Sequence, residues 1–193
     1  MPNPRKAVGH SGRRAQAARN DSAIVDAARA VFLDDPKAPV SAVASRAGVG
    51  ISALYRRYGG KEDLLRRICH DGLRSYLAEA EEALAEEDGW QAFTSFLRRI
   101  VDADLHSLTV HLAGSFTPTP EMSADAARAV ELAARVTRRA HESGRLRADF
   151  AAAAIVLVLE GCAAVRSADP ERARLLRWRY LALQLAGLDT AGP

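Results

Sequence analysis

Residues 40–65, VSAVASRAGVGISALYRRYGGKEDLL, read as two short helices separated by glycine and followed by the start of a long one. Val43 and Ala47 set an apolar face at i, i+4 spacing, and Ala44 is small enough to admit a crossing helix. Gly48 stands where the chain must turn sharply, and glycine takes positive φ without steric cost. Val49 and Leu54 return to the same core, which leaves Gly50, Ile51, Ser52, Ala53, Tyr55, Arg56 and Arg57 with outward faces. This spacing predicts a helix-turn-helix whose second helix covers residues 51–58.

The outward side chains suit DNA. Small residues at the start of the second helix let it sink into a major groove about 12 Å wide. Ser52 and Tyr55 offer hydroxyls, and Arg56 and Arg57 offer charge for phosphates or guanine edges. Tyr58, which completes the helix, and Lys61, which opens the next one close to the same groove wall, are further candidate DNA contacts. Ser41, near the start of the first short helix, is a cap, a phosphate contact, or both.

The run AVASRAGVGISALYRRYGGKEDLL resembles the DNA-binding signature of TetR-type transcriptional regulators in its alanine-glycine-valine turn, leucine-tyrosine core and lysine-glutamate-aspartate-leucine end. The likeness is close over about residues 20–70 and beyond that is one of layout. Gly50 departs from the usual serine or threonine, Ala53 from a common threonine, and Gly59-Gly60 from a proline–serine type of linker. The resemblance implies an all-α fold: a helix-turn-helix domain over residues 20–71 and a helical ligand-binding and dimerisation domain over residues 72–193. It further implies a homodimer on a near-palindromic double-stranded DNA operator, most simply as a repressor, with an unidentified small-molecule effector. Ligand binding in the larger domain would then shift the long helix and favour release. An activator or a ligand-independent regulator of the same fold is the nearest alternative, and a small helical enzyme is a more distant one.

Charge is divided along the chain. Residues 1–71 carry 13 Lys or Arg against 7 Asp or Glu, whereas residues 72–193 carry 14 against 17. The basic part coincides with the helix-turn-helix, as a polyanion partner requires. Residues 1–19 hold five basic side chains and no acid; the segment is expected to be a disordered basic arm on its own, either lying along DNA or merely solvated. Cys69 and Cys162 stand far apart and suggest buried free thiols in a reducing cytoplasm. No apolar run of secretion-signal type is present at the N-terminus, and the longest apolar run, residues 151–159, is too short for a bilayer, so no membrane partner is expected.

Periodicity outlines the rest. An amphipathic helix is predicted over residues 22–33, with Asp21 or Ser22 as its cap and Pro36 and Pro39 beyond its end. A long helix follows over residues 61–86, then helices near residues 90–104, 105–116 and 123–142. Residues 151–166 are apolar almost all the way round, and the last helix, opened by Asp169-Pro170-Glu171, is apolar over too wide an arc for one neighbour. Both therefore predict a four-helix subunit interface, with Ile155, Val158, Leu159, Cys162, Leu175, Leu181 and Leu185 as candidate contacts.

A ligand pocket wants apolar walls with a few placed polar groups. The candidates are Trp90, Phe93, Phe96, Leu97, His106, His111, Phe116, Met122, Arg135, Glu160 and Trp178. His106 and His111 are five residues apart, roughly 140° round a helix, and share no face for a metal. No serine elbow, phosphate-binding loop or paired-carboxylate motif is recognisable, so neither a metal, a cofactor nor an enzymatic activity is expected.

Overall fold

The structure, a computed structural model, describes residues 5–104, 112 and 114–191, with residues 5–19 described by their backbone alone. The described residues form eight helices and one isolated antiparallel bridge between Leu146 and Asp189, an all-α architecture. The chain divides into two compact units. One runs to Ile68 and includes Gly114–Phe116; the other holds the rest from Cys69 onward.

In the first unit, α1 (Arg5–Asp34) begins well before the predicted start near Ser22. Residues 5–19, expected as a disordered arm, are thus drawn as helix. Alanine, arginine and glutamine dominate RRAQAARN, all strong helix formers, and no proline interrupts the chain between Pro4 and Pro36. Asp21 is consequently an interior residue of α1 and not its cap. Ile24, Ala27, Ala28 and Phe32 make the buried stripe. After Asp34, Pro36 and Pro39 keep the chain out of helix until α2 (Val40–Ala47), which buries Val40, Val43 and Ala44.

Gly48 ends α2 in the left-handed region, at φ 66°. Its N–H donates to Ser45 O, and that of Val49 donates to Ala44 O at 3.0 Å. This glycine-closed pattern satisfies the last carbonyls of α2 and aims the chain into α3 (Ile51–Tyr58). Leu54 and Tyr58, one turn apart, are the buried residues of α3. α4 (Lys61–Leu84) opens with Glu62 and Asp63, favourable charges at a helix N-terminus, and its first turns bury Leu64, Leu65 and Ile68.

The second unit gathers the later turns of α4 with α5 (Gly89–Asp102), α6 (Pro120–Glu142), α7 (Ala154–Ala164) and α8 (Pro170–Leu188). Each start is capped where the sequence supplies an oxygen: Asp88 accepts from Gln91 N at 2.6 Å, Thr119 from Met122 N, and Asp169 from Glu171 N. The core joins Leu77, Ala80 and Ala83 to Phe93, Phe96, Leu97 and Ile100 of α5, Leu132 and Val136 of α6, and apolar residues of α7 and α8. Two close approaches fix the helix spacing. A Cβ on Gly89 would lie 2.0 Å from the Arg139 carbonyl oxygen, and one on Gly161 would lie 2.3 Å from the Tyr180 hydroxyl. Arg139 reaches the other way, donating to the carbonyls of Leu84 at 2.7 Å, Glu86 at 2.5 Å and Glu87 at 2.9 Å. One guanidinium thus supplies donors to carbonyls that the end of α4 leaves without helical partners.

Six of the seven residues expected at a subunit interface lie inside this core: Ile155, Val158, Leu159, Cys162, Leu181 and Leu185 are all buried, and only Leu175 is exposed, at 59%. The helical repeat explains the outcome. Residues 155, 158, 159 and 162 fall on one stripe of α7, and Val156 and Leu157 on the opposite side. Because both sides are apolar, periodicity alone cannot say which faces inward. The solvent-facing aliphatic residues of these two helices include Val156 and Leu157 of α7, with Leu157 67% exposed, and Leu175 and Leu183 of α8, with Leu183 73% exposed; Val130 of α6 is also bare. No described helix is long and apolar enough to cross a membrane.

Candidate nucleic-acid interface

α3 is anchored to its own unit along one edge, by Leu54 and Tyr58. Around the remaining arc Gly50, Ile51, Ser52, Tyr55, Arg56 and Arg57 are exposed, Ala53 is half-buried, and Ser41 is exposed at the start of α2. Tyr55 keeps 50% of its surface in solvent, a high value for a large aromatic side chain with no role in the core. The helix therefore presents a small N-terminal end, an aromatic hydroxyl and two guanidinium groups on one side.

Two of the expected contacts are held elsewhere. The Tyr58 ring is buried and its hydroxyl donates to Asp21 Oδ1. Burial pushes the Tyr58 phenol up to about 12, with the Asp21 bond adding to the rise, so it stays a donor. Lys61 donates from Nζ to the carbonyls of Pro36 at 2.8 Å and Ala38 at 2.9 Å, and its ammonium lies 5.1 Å from the centre of the Phe32 ring. It staples the α1–α2 connection, where Pro36 and Pro39 leave carbonyls outside any helical ladder. A lysine immediately after a glycine pair offers no sequence sign of that role.

Asp21 is the residue that sequence reasoning missed. Its Oδ1 also accepts from Arg57 Nε at 2.9 Å, so one carboxylate of α1 holds two side chains of α3. The Arg57 hydrogen bond keeps the Asp21 carboxyl below its ordinary value and raises Arg57 in return. Only a helix running back through position 21 makes this pairing possible, and periodicity places the helix start there instead.

The described residues among the expected ligand contacts sit in different surroundings. Phe93, Phe96 and Leu97 are fully buried, with Phe96 edge-on to Tyr76 at 5.1 Å and Phe93 edge-on to Phe150 at 5.6 Å. Met122 is buried in the second unit, Arg135 and Glu160 are exposed, and Phe116, half-buried, belongs to the first unit. Trp178 donates from Nε1 to Asp102 at 3.2 Å beside Arg174. His106 and His111 lie outside the described residues. Trp90 alone borders an open cleft of about 600 Å³, together with Asp88, Gln91, Thr94, Arg98, Arg145, Ala182, Leu185, Ala186 and Asp189. Arg145 lies over the Trp90 ring at 5.3 Å and forms an ion pair with Asp189. No cluster of three or more metal-binding side chains occurs among the described residues.

Among the described residues, a glycine-turned helix pair exposing its second helix, followed by a separate helical unit, is the architecture of a helix-turn-helix protein. Residues 24–68 match the family model for bacterial regulatory proteins of the tetR family. The transcriptional repressor LfrR of Mycolicibacterium smegmatis is 33% identical over 113 residues, which are 55% of this chain and 57% of LfrR, so the match spans little more than half of that relative. The crystal structure of a TetR regulatory protein from Mycobacterium vanbaalenii superposes with a TM-score of 0.58 at 25% identity, covering 92% of this chain and 99% of that one. The structure of LfrR in complex with proflavine gives 0.57 at 20% identity, covering 86% and 96%, and supports the fold alone. The chain is thus similar to TetR-family regulators, in sequence over residues 24–68 and in fold over most of its length.

Proposed function

We propose that this regulator is a sequence-specific DNA-binding repressor that acts as a homodimer and releases DNA when a small molecule binds its second unit. The observation that carries the DNA reading is the solvent-facing side of α3, where Ser52, Tyr55, Arg56 and Arg57 are exposed while Leu54 locks the helix from behind. Gly50, Ile51 and Ala53 leave the end of the helix narrow enough to enter a major groove, and Ser41 offers a hydroxyl to the flanking phosphate. Tyr58 and Lys61 support this surface from within.

The dimer rests on the bare outer faces of α7 and α8. Val156, Leu157, Leu175 and Leu183 are aliphatic and exposed, and a C2 pair of such faces builds a four-helix contact. Two-fold symmetry in the protein asks for a near-palindromic operator. The effector is assigned to the Trp90 cleft, whose volume falls among those of small-molecule sites. LfrR, a relative over part of the chain, is known in complex with proflavine. Proflavine titrated into the DNA-free protein should quench tryptophan fluorescence, and Gln91→Phe, which fills the cleft, should abolish the effect.

Selection of bound duplexes from a random pool tests the central claim. A near-palindromic consensus is expected, and Tyr55→Ala should lose it while remaining folded. If each subunit neutralises about 4 phosphates, affinity should fall with a log–log salt slope of roughly −7 for the dimer. A pool that yields no consensus, with a flat salt response, rules the DNA reading out.

A further inference from the structure

Asp21 places a carboxylate beside a helix assigned to a polyanion, which calls for an explanation. It does not neutralise Arg57 completely. The hydrogen bond runs through Nε, so Nη1 and Nη2 remain for other acceptors on a side chain that is 59% exposed. Neighbouring Arg56 is also exposed, and no hydrogen bond from its guanidinium to the unit is seen among the described contacts. An unanchored arginine can swing to whichever phosphate is near, in any docking register. An arginine fixed at Nε presents its two terminal nitrogens at one place, the paired geometry that grips a single phosphate.

We propose that Asp21 is a positioning residue that fixes Arg57 for one phosphate of a fully seated duplex, and so favours the preferred sequence over DNA in general. The assignment rests on the DNA-binding reading above. Its physical content is an asymmetry between two binding modes. In the seated complex the anchored guanidinium finds its phosphate without being ordered afresh. In loose, non-specific binding Arg57 must first break from Asp21, and the carboxylate itself repels the backbone. The Tyr58 hydroxyl, buried on the same Oδ1, holds Asp21 in place from below. Because the Arg57 bond keeps the carboxyl below its ordinary value, the anchor is charged throughout the neutral range.

The test measures affinity and salt slope for the selected duplex and for a random-sequence duplex, in the wild type, Asp21→Asn, Arg57→Met and the double variant. Asp21→Asn should strengthen random binding and steepen its slope by roughly 0.9 per subunit, as one more phosphate is neutralised. The ratio of selected to random affinity should fall by at least about three-fold. In the Arg57→Met background the same substitution should leave that ratio unchanged. A ratio unaffected by Asp21→Asn, or lowered equally in both backgrounds, overturns the assignment and leaves Asp21 a structural carboxylate. Arg57→Lys keeps the charge without the forked geometry and leaves Asp21 intact. It should reproduce the loss of ratio even if Asp21→Asn folds poorly, and a wild-type ratio in Arg57→Lys would equally overturn the proposal. A wild-type chain with no preferred duplex ends both readings; one with a preference that survives all three substitutions ends only this one.

Discussion

Lys61→Met separates a structural lysine from a DNA-contacting one. Methionine keeps the aliphatic stem but removes the ammonium that bonds Pro36 O at 2.8 Å and Ala38 O at 2.9 Å and faces the Phe32 ring. A hydrogen bond from a charged donor contributes roughly 1.5–3 kcal/mol when well buried. Lys61 is only partly buried, so about 1 kcal/mol for each bond is the fitting scale, with about 0.5 kcal/mol from the ring. Relief of ordering a long side chain returns about 0.5–1 kcal/mol. The net expectation is a loss of about 1.5–2 kcal/mol in the first unit. Trp90 and Trp178 both lie in the second unit, so tryptophan fluorescence reports that unit. The appropriate assay is amide hydrogen exchange in peptides covering Phe32 and residues 40–58. Exchange there should accelerate by roughly ten- to thirty-fold, the equivalent of that energy. Unchanged exchange with DNA affinity down and the salt slope smaller by about one per subunit would make Lys61 a phosphate contact and refute the argument.

Other perturbations address other parts of the chain. Leu157→Glu should give folded monomers in sedimentation, because the side chain already faces water, whereas Leu181→Glu should unfold the second unit by burying a charge in its core. An unchanged dimer with Leu157→Glu would move the contact away from α7. Gly89→Ala should destabilise the second unit by at least about 2 kcal/mol in urea unfolding, since α5 and α6 must part to relieve a 2.0 Å approach; wild-type stability would mean that the backbone there yields freely. Asp21 titrates below its ordinary value of 3.8 because Arg57 bonds it, so its contribution is present above that value and lost as pH falls through the lower, folded one. Exchange protection of α3 should therefore weaken in acid below about pH 4, and Asp21→Asn should flatten that part of the profile.

The helix-turn-helix was legible because its signals are local and agree with one another. Gly48 needs positive φ, Leu54 marks the inner edge of α3, and the residues between are small or polar. The start of α1 was not legible, since Asp21 and Ser22 have the side chains of helix caps and the apolar stripe begins just after them, while the alanine and arginine before them continue the helix without a turn. The inner sides of α7 and α8 could not be chosen either. A helix apolar on both sides gives a period without a phase, and only tertiary packing decides that Ile155 and Leu181 go in while Leu157 and Leu183 stay out. Similarly, Lys61 and Arg57 have the charge of phosphate contacts in any linear reading. Their partners, Pro36 and Asp21, lie 25 and 36 positions away, where no short motif reaches.

The corner between α4 and α5 carries a consequence for how this chain can change over time. Surface connections ordinarily absorb added or deleted residues with little effect. Here Arg139 meets three carbonyls within residues 84–87, and Gly89 lies directly against the backbone of the same arginine. A single inserted residue would slide those oxygens out of register and push a side chain into α6. Length variation among descendants of this sequence should therefore avoid that short connection and accumulate elsewhere on the surface.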